Sequence, residues 1–183
     1  MRTICAVLGL MASTFAGAQA PALLATVEKV DLNRYAGKWY EIALFPNRFQ
    51  SQCVADTTAT YTLKPNGRVE VINRCRQADG KLDDAIGEAK LDVDDGSNSK
   101  LKVRFAPVWL SWLPQVWGSY WVIELDADYQ HVVVGEPRRE FLWILARQPS
   151  LPATTLAGIK SRLTARGYDV AKLQFKPQTA NTP

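Results

Sequence analysis

Val54-Ala55-Asp56-Thr57-Thr58-Ala59-Thr60-Tyr61-Thr62-Leu63, then Lys64-Pro65-Asn66-Gly67-Arg68, then Val69-Glu70-Val71-Ile72-Asn73 spells a β-hairpin. Both arms are rich in β-branched and aromatic residues, and the turn puts Gly67 where a positive φ is tolerated. A three-residue loop pairs Lys64 with Arg68, Tyr61 with Val71 and Thr57 with Cys75. Cys53 and Cys75 flank the two arms. In an oxidising compartment such an even pair reads as a disulfide. The register leaves Cys53 four residues beyond its partner's opposite, so the bond requires a bend or bulge near Cys53.

Outward from this hairpin the chain keeps the same grain, short β-rich runs divided by turn residues. Residues 39–44, 55–63, 69–75, 86–92, 101–105, 119–125, 131–135 and 141–146 read as strands. Ala78-Asp79-Gly80, Asp94-Asp95-Gly96-Ser97-Asn98 and Asp126-Ala127-Asp128 are among the turns between them. Eight strands at this spacing give an all-β fold, either a sandwich or an up-and-down barrel. One helix is predicted over 152–166, where Pro152 suits the first turn, Leu156, Ile159 and Leu163 share a face, and Gly167 closes it. A short ninth strand over 172–176 follows, and the tail 177–183 reads as flexible.

Residues 1–20 read as a cleaved leader rather than as part of the fold. Arg2 precedes an apolar run over 4–15, and Ala18-Gln19-Ala20 fits an A-x-A cleavage site. No later stretch reaches the about eighteen apolar residues that a membrane-spanning helix needs. The expected product is one domain over 21–183, exported to the periplasm and there soluble or peripherally associated with the outer membrane. Cys5 does not suit a lipid anchor, because only four residues precede it.

Composition removes several functional classes. The chain has 183 residues, 47% hydrophobic and 22% charged, which describes a globular domain. Its net charge of +4 is scattered, with Arg138-Arg139 the longest basic run. A nucleic-acid partner would call for a gathered basic patch. One histidine and three cysteines supply little for a metal site or a nucleophile–histidine machine. The reading is therefore a binding protein with no metal and no cofactor.

Gly37-Lys38-Trp39-Tyr40-Glu41-Ile42 opens the first strand, Asp126-Ala127-Asp128-Tyr129 turns between the sixth and seventh, and Arg147 ends Leu142-Trp143-Ile144-Leu145-Ala146-Arg147. In that order they resemble the three motifs of the lipocalins, and the wording of the first and third resembles the bacterial lipocalin and apolipoprotein D branch. The resemblance covers roughly residues 30–177. It implies an eight-stranded antiparallel up-and-down barrel with one C-terminal helix and a short ninth strand. Counting strands places Gly37, Trp39, Asp128, Tyr129 and Arg147 at one end of such a barrel. The family arrangement, with the arginine stacked on the indole, then closes the floor through a cation–π contact of roughly 0.5–2 kcal/mol.

By the same resemblance Trp143, Tyr120 and Val122 face the lumen, with Tyr61 and Val71 lining its wall. The implied function is a carrier for a small amphiphilic lipid, a fatty acid or lysophospholipid, serving lipid storage, transport or maintenance in the cell envelope. Two other readings stay open: a barrel that recognises a protein, or an enzyme using Glu124 or Asp92 inside the lumen. At the mouth, Arg138 and Arg139 are expected to favour anionic head groups. Residues 106–117 hold Trp109, Trp112 and Trp117, two prolines and no charge. This segment reads as a flap over the barrel's own mouth, a homodimer contact, or a lid that touches lipid and the membrane surface.

Overall fold

The computed structural model describes residues 23–92 and 96–179. The leader expected over 1–20 lies outside the described residues, as does the end of the tail beyond 179. A four-residue helix α1 (Leu32–Tyr35) precedes β1 (Gly37–Leu44), β2 (Cys53–Leu63), β3 (Val69–Gln77), β4 (Leu82–Leu91) and β5 (Lys100–Arg104). After two 3-10 turns come β6 (Gly118–Leu125), β7 (His131–Gly135), β8 (Leu142–Ala146), helix α2 (Ala153–Ala165) and β9 (Gln174–Phe175). Strands β2 to β8 pair in sequence order, β1 joins β8, and β1 pairs β2 to close the barrel. Strand β9 adds to β1 through Ala43 and Leu44. The fold is thus the closed eight-stranded barrel with one C-terminal helix and an added strand. Among the described residues no helix is long and apolar enough to cross a membrane.

The hairpin has the expected register at its tip, with Tyr61 opposite Val71 and the Lys64 N–H donating to Arg68 O at 2.7 Å. Further along, the register shifts between Ala55 and Thr58 and again between Cys53 and Ala55. Asp56 sits at the first shift with a left-handed φ of 54°, where β2 carries one extra residue and bulges. The shifts cancel the expected Thr57–Cys75 pairing and slide Cys53 to Gln77. Cys53 and Cys75 are bonded, with their Cα atoms 5.5 Å apart.

Strand β4 begins at Leu82, earlier than the expected residue 86. The turn over 78–81 is tight, with Gln77 N–H donating to Lys81 O and Asp79 Oδ1 accepting from Lys81 N–H. The ladder therefore starts at once, although Asp83 and Asp84 offer no apolar side chain. Helix α1 was not apparent from hydropathy. It is set by Asp31, whose carboxylate caps the Asn33 and Arg34 N–H groups at 2.9 and 3.3 Å.

Two apolar layers follow from strand alternation. Outside the barrel, Ile42, Ile123, Val133, Leu142, Ile144 and Ala146 pack against Ile159 and Leu163 of α2. Inside it, Trp39, Tyr61, Val71, Leu101, Val122, Val132, Val134 and Leu145 form the second layer. Gly167 ends the helix with φ +82°, a left-handed position that suits glycine.

The first tail residues, 177–179, make hydrogen bonds to the barrel. Beyond Tyr40 and Thr58, β1 and β2 no longer pair, and the chain after β9 lies in the gap. Pro177 O accepts from Asp56 N–H, the Gln178 side-chain amide donates to Glu41 O and Thr57 O, and Thr179 bonds the Asp56 carboxylate. Backbone groups freed by the bulge find their partners there, as buried polar groups must.

Candidate functional site

The floor of the barrel is built by the three motifs. The Arg147 guanidinium lies 3.8 Å from the Trp39 ring centroid and donates to the carbonyls of Arg34, Tyr35, Ala36 and Lys38. Gly37 has φ +93°, and a Cβ there would stand 3.4 Å from Arg147 Nη1, so glycine answers both backbone and space. The Tyr129 hydroxyl accepts from Asp31 N–H at 2.9 Å, while Arg34 stacks on the Tyr129 ring at 4.0 Å. Asp128 lies in the turn, but the carboxylate that holds the turn is that of Asp126, which accepts from the Asp128 and Gln130 N–H groups.

Above the floor the lumen is filled by its own side chains. The Tyr120 hydroxyl is shared with Tyr35 at 2.6 Å and with Tyr61 at 2.9 Å. Burial pushes all three phenols up, Tyr61 to about 12, so they remain neutral donors and acceptors. Val69, Val71, Leu101 and Val122 surround them, and the free space is about 20 Å³. That is room for about one water. The lower lumen is therefore a packed bottom rather than an open tunnel.

Toward the mouth the wall turns aromatic and then polar. Phe141 stacks on Trp143 with centroids 6.0 Å apart, and Phe49 of the β1–β2 loop lies 5.7 Å from Phe141. Trp143 is half-buried beside the lumen layer, on the inward face expected for it. Its indole N–H donates to Gln50 Oε1 at 2.8 Å, and Gln50 Nε2 donates to Glu41 Oε2 at 2.7 Å. Glu41 is only 3% exposed, and its Oε1 is buried with no partner. Burial pushes the Glu41 carboxyl from 4.5 to about 7, against the opposing Gln50 bond and the attraction of Lys176.

Glu124 is not a lumen acid. A register shift between Val122 and Glu124 breaks the alternation, so Val122 faces in while Glu124 faces α2 and pairs with Arg162 Nε at 3.0 Å and Arg162 Nη2. Asp92 pairs with Lys102 at 2.8 Å. The buried lumen-side acid is Glu41, which the sequence reading passed over. The available signal was its place two residues after Trp39, on the same face of one strand.

The expected mouth residues divide. Arg138 pairs with Glu140 at 3.0 Å, and Arg139 Nε donates to Arg166 O at the end of α2. Both border an outer groove of about 630 Å³ with Phe45, Pro46 and residues 171–174, not the lumen. In the flap, Trp117 is held by its N–H on Ser111 O and by Lys90 over its ring at 4.3 Å. Trp109 and Trp112 instead stand 70% and 76% exposed. Within one chain these two rings are not hidden across the mouth. Among the described residues no group of three His, Cys, Asp or Glu side chains could hold a metal ion.

These features define a closed antiparallel up-and-down barrel with a cation–π floor, an apolar inner layer and an aromatic mouth. The model of the Lipocalin-like domain matches residues 30–178. The chain is 40% identical over 158 residues to temperature-induced lipocalin-1 of Arabidopsis thaliana, covering 86% of this chain and 84% of that protein. It is 35% identical to the outer membrane lipoprotein Blc of Escherichia coli K12, over 86% of this chain and 85% of Blc. Mouse apolipoprotein D is 33% identical, with 85% and 80% covered. Among solved structures, insecticyanin from the tobacco hornworm Manduca sexta has the same fold at 19% identity, with a TM-score of 0.65 and 85% and 84% of the chains covered. The chain belongs to the lipocalin family, in the branch that holds Blc and apolipoprotein D.

Proposed function

We propose that this lipocalin is an exported carrier of a single-chain amphiphile, a fatty acid or lysophospholipid, acting in the cell envelope. The observation that carries the reading is the aromatic series Phe49–Phe141–Trp143, which runs from the exposed mouth into an apolar lumen. An acyl chain laid along it leaves water at about 0.8 kcal/mol per CH₂. Tyr61, Val71, Tyr120 and Val122 form the packed bottom on which the ligand rests. With about 20 Å³ free there, the tail occupies the upper lumen unless these side chains move.

Export is supported by the leader-like residues 1–20 and by a disulfide that needs an oxidising compartment. The exposed Trp109 and Trp112 support contact of the flap with a bilayer surface, where an indole keeps its ring apolar and its N–H hydrated. No Lys or Arg lies in residues 106–117, so this contact depends little on lipid charge.

Native mass spectrometry of the protein purified from its own envelope tests the carrier reading. A bound mass matching one single-chain lipid is the expected result. A protein that carries no lipid and takes up none from a fatty-acid mixture overturns it.

A further inference from the structure

The mouth cluster carries a hydrogen-bonding direction that can be worked out atom by atom. An indole N–H only donates, so the Gln50 atom 2.8 Å from Trp143 Nε1 is the amide oxygen. That assignment turns the Gln50 NH₂ toward Glu41, where it donates to Oε2 at 2.7 Å. Oε2 must then be an acceptor. When the Glu41 carboxyl holds a proton, the proton is on Oε1, and Oε1 is the atom with no partner. The side chain lies on the lumen side of β1. Trp39, two residues before it, and Leu145, opposite it on β8, both belong to the interior layer. A buried polar atom left unsatisfied costs about 1–3 kcal/mol, so a ligand oxygen placed against Oε1 would be stabilised by relieving it.

We propose that Glu41 is the head-group contact of the barrel: its Oε1–H donates to the anionic oxygen of a single-chain carboxylate whose tail lies against Trp143 and Phe141. This rests on the carrier reading and adds to it a named contact and a proton requirement. With the carboxyl held up to about 7 by burial, the donor form is present in mildly acidic and neutral solution and is lost above that. An ionised Glu41 would face the ligand's own negative charge. The groups around it are Lys176 from the segment after β9, Tyr61 from β2, Gln50 from the β1–β2 loop, and the uncharged Trp143 and Leu145 of β8. Lys176 attracts an anion, and the raised Tyr61 phenol stays neutral, so the change near neutral pH belongs to Glu41.

Titrations of the full mature chain with laurate and with 1-dodecanol, followed by tryptophan fluorescence between pH 6 and 9, test this. The laurate Kd should rise about tenfold per pH unit above 7, the slope of one linked proton, while the dodecanol Kd changes little. Glu41→Gln keeps an N–H donor at the same place, so its laurate Kd should stay near the low-pH value throughout. Calorimetry of the unmodified protein at pH 8, in two buffers of different ionisation enthalpy, should count about one proton taken up per laurate, a readout independent of how the variant folds. A flat laurate profile, a pH dependence that persists in Glu41→Gln, or no proton uptake overturns the assignment while leaving a carrier. Failure of both probes to bind at any pH overturns the carrier reading as well.

Discussion

Arg147 lies over the face of Trp39, 3.8 Å from its centroid, although Trp39 stands on the first strand of the barrel and Arg147 directly follows the last. One guanidinium seals the seam between β8, β1 and helix α1 by satisfying four backbone carbonyls of residues 34–38. Arg147→Met keeps an unbranched apolar stem and removes both the cation and the donors. We expect a loss of about 2–4 kcal/mol, from the cation–π contact and the carbonyls left unpaired. Urea unfolding at fixed pH measures it, and a loss below 1 kcal/mol would show that the floor closes without the arginine.

The buried Glu41 makes stability depend on pH in a calculable direction. Its folded value of about 7 lies above its ordinary 4.5, so between these values the folded chain holds a proton that the unfolded chain has released. Stability therefore falls as pH rises through that window, by up to about 3 kcal/mol. Glu41→Gln does not titrate. Relative to the unmodified chain it should gain little at pH 4.5 and about 3 kcal/mol at pH 8. Thermal melts of both proteins at the two pH values check the sign.

Reduction of Cys53–Cys75, which spans 22 residues, should cost about 3 kcal/mol on chain-entropy grounds. Closure of the barrel rests on the β1–β2 ladder at Gly37–Tyr40, away from the bond. The reduced protein should keep its far-ultraviolet circular dichroism and melt about 10 °C lower. Loss of the β signal at 25 °C on reduction would show that the disulfide is needed for the fold itself.

Exposed Trp109 and Trp112 should bring the protein to neutral vesicles. Replacing both by Ser should weaken co-sedimentation about tenfold or more, since burying one large apolar side chain yields about 1.5–3 kcal/mol. Adding anionic lipid should change little, because the segment holds no Lys or Arg. Equal sedimentation of the two proteins would leave these rings to another partner.

The features that could be read from the chain were those governed by alternation and turn chemistry. The Lys64–Arg68 turn, the eight strands and the placing of Trp39 and Arg147 at one end follow from counting residues and strands, whereas the inward face of Trp143 came only from the family resemblance, because both faces of its strand are apolar. What counting missed lies at the register shifts. The shift between Val122 and Glu124 sends Glu124 outward to Arg162, against the simple parity that placed it in the lumen. The shift at Asp56 frees backbone groups that recruit Pro177 and Thr179, residues whose composition alone reads as a loose tail. Glu41 hid in plain view inside a motif, because its burial depends on Gln50 from a loop whose path no periodicity describes.

The most direct test of the account is a calorimetric chain-length series of saturated fatty acids at pH 6, below the raised Glu41 value of about 7. Affinity should tighten about fourfold for each CH₂ from octanoate upward, matching about 0.8 kcal/mol per group, and level off once the space along Trp143 and Phe141 is filled. Octanoate and palmitate binding with equal affinity, or neither binding, would contradict the claim that this barrel carries an acyl chain.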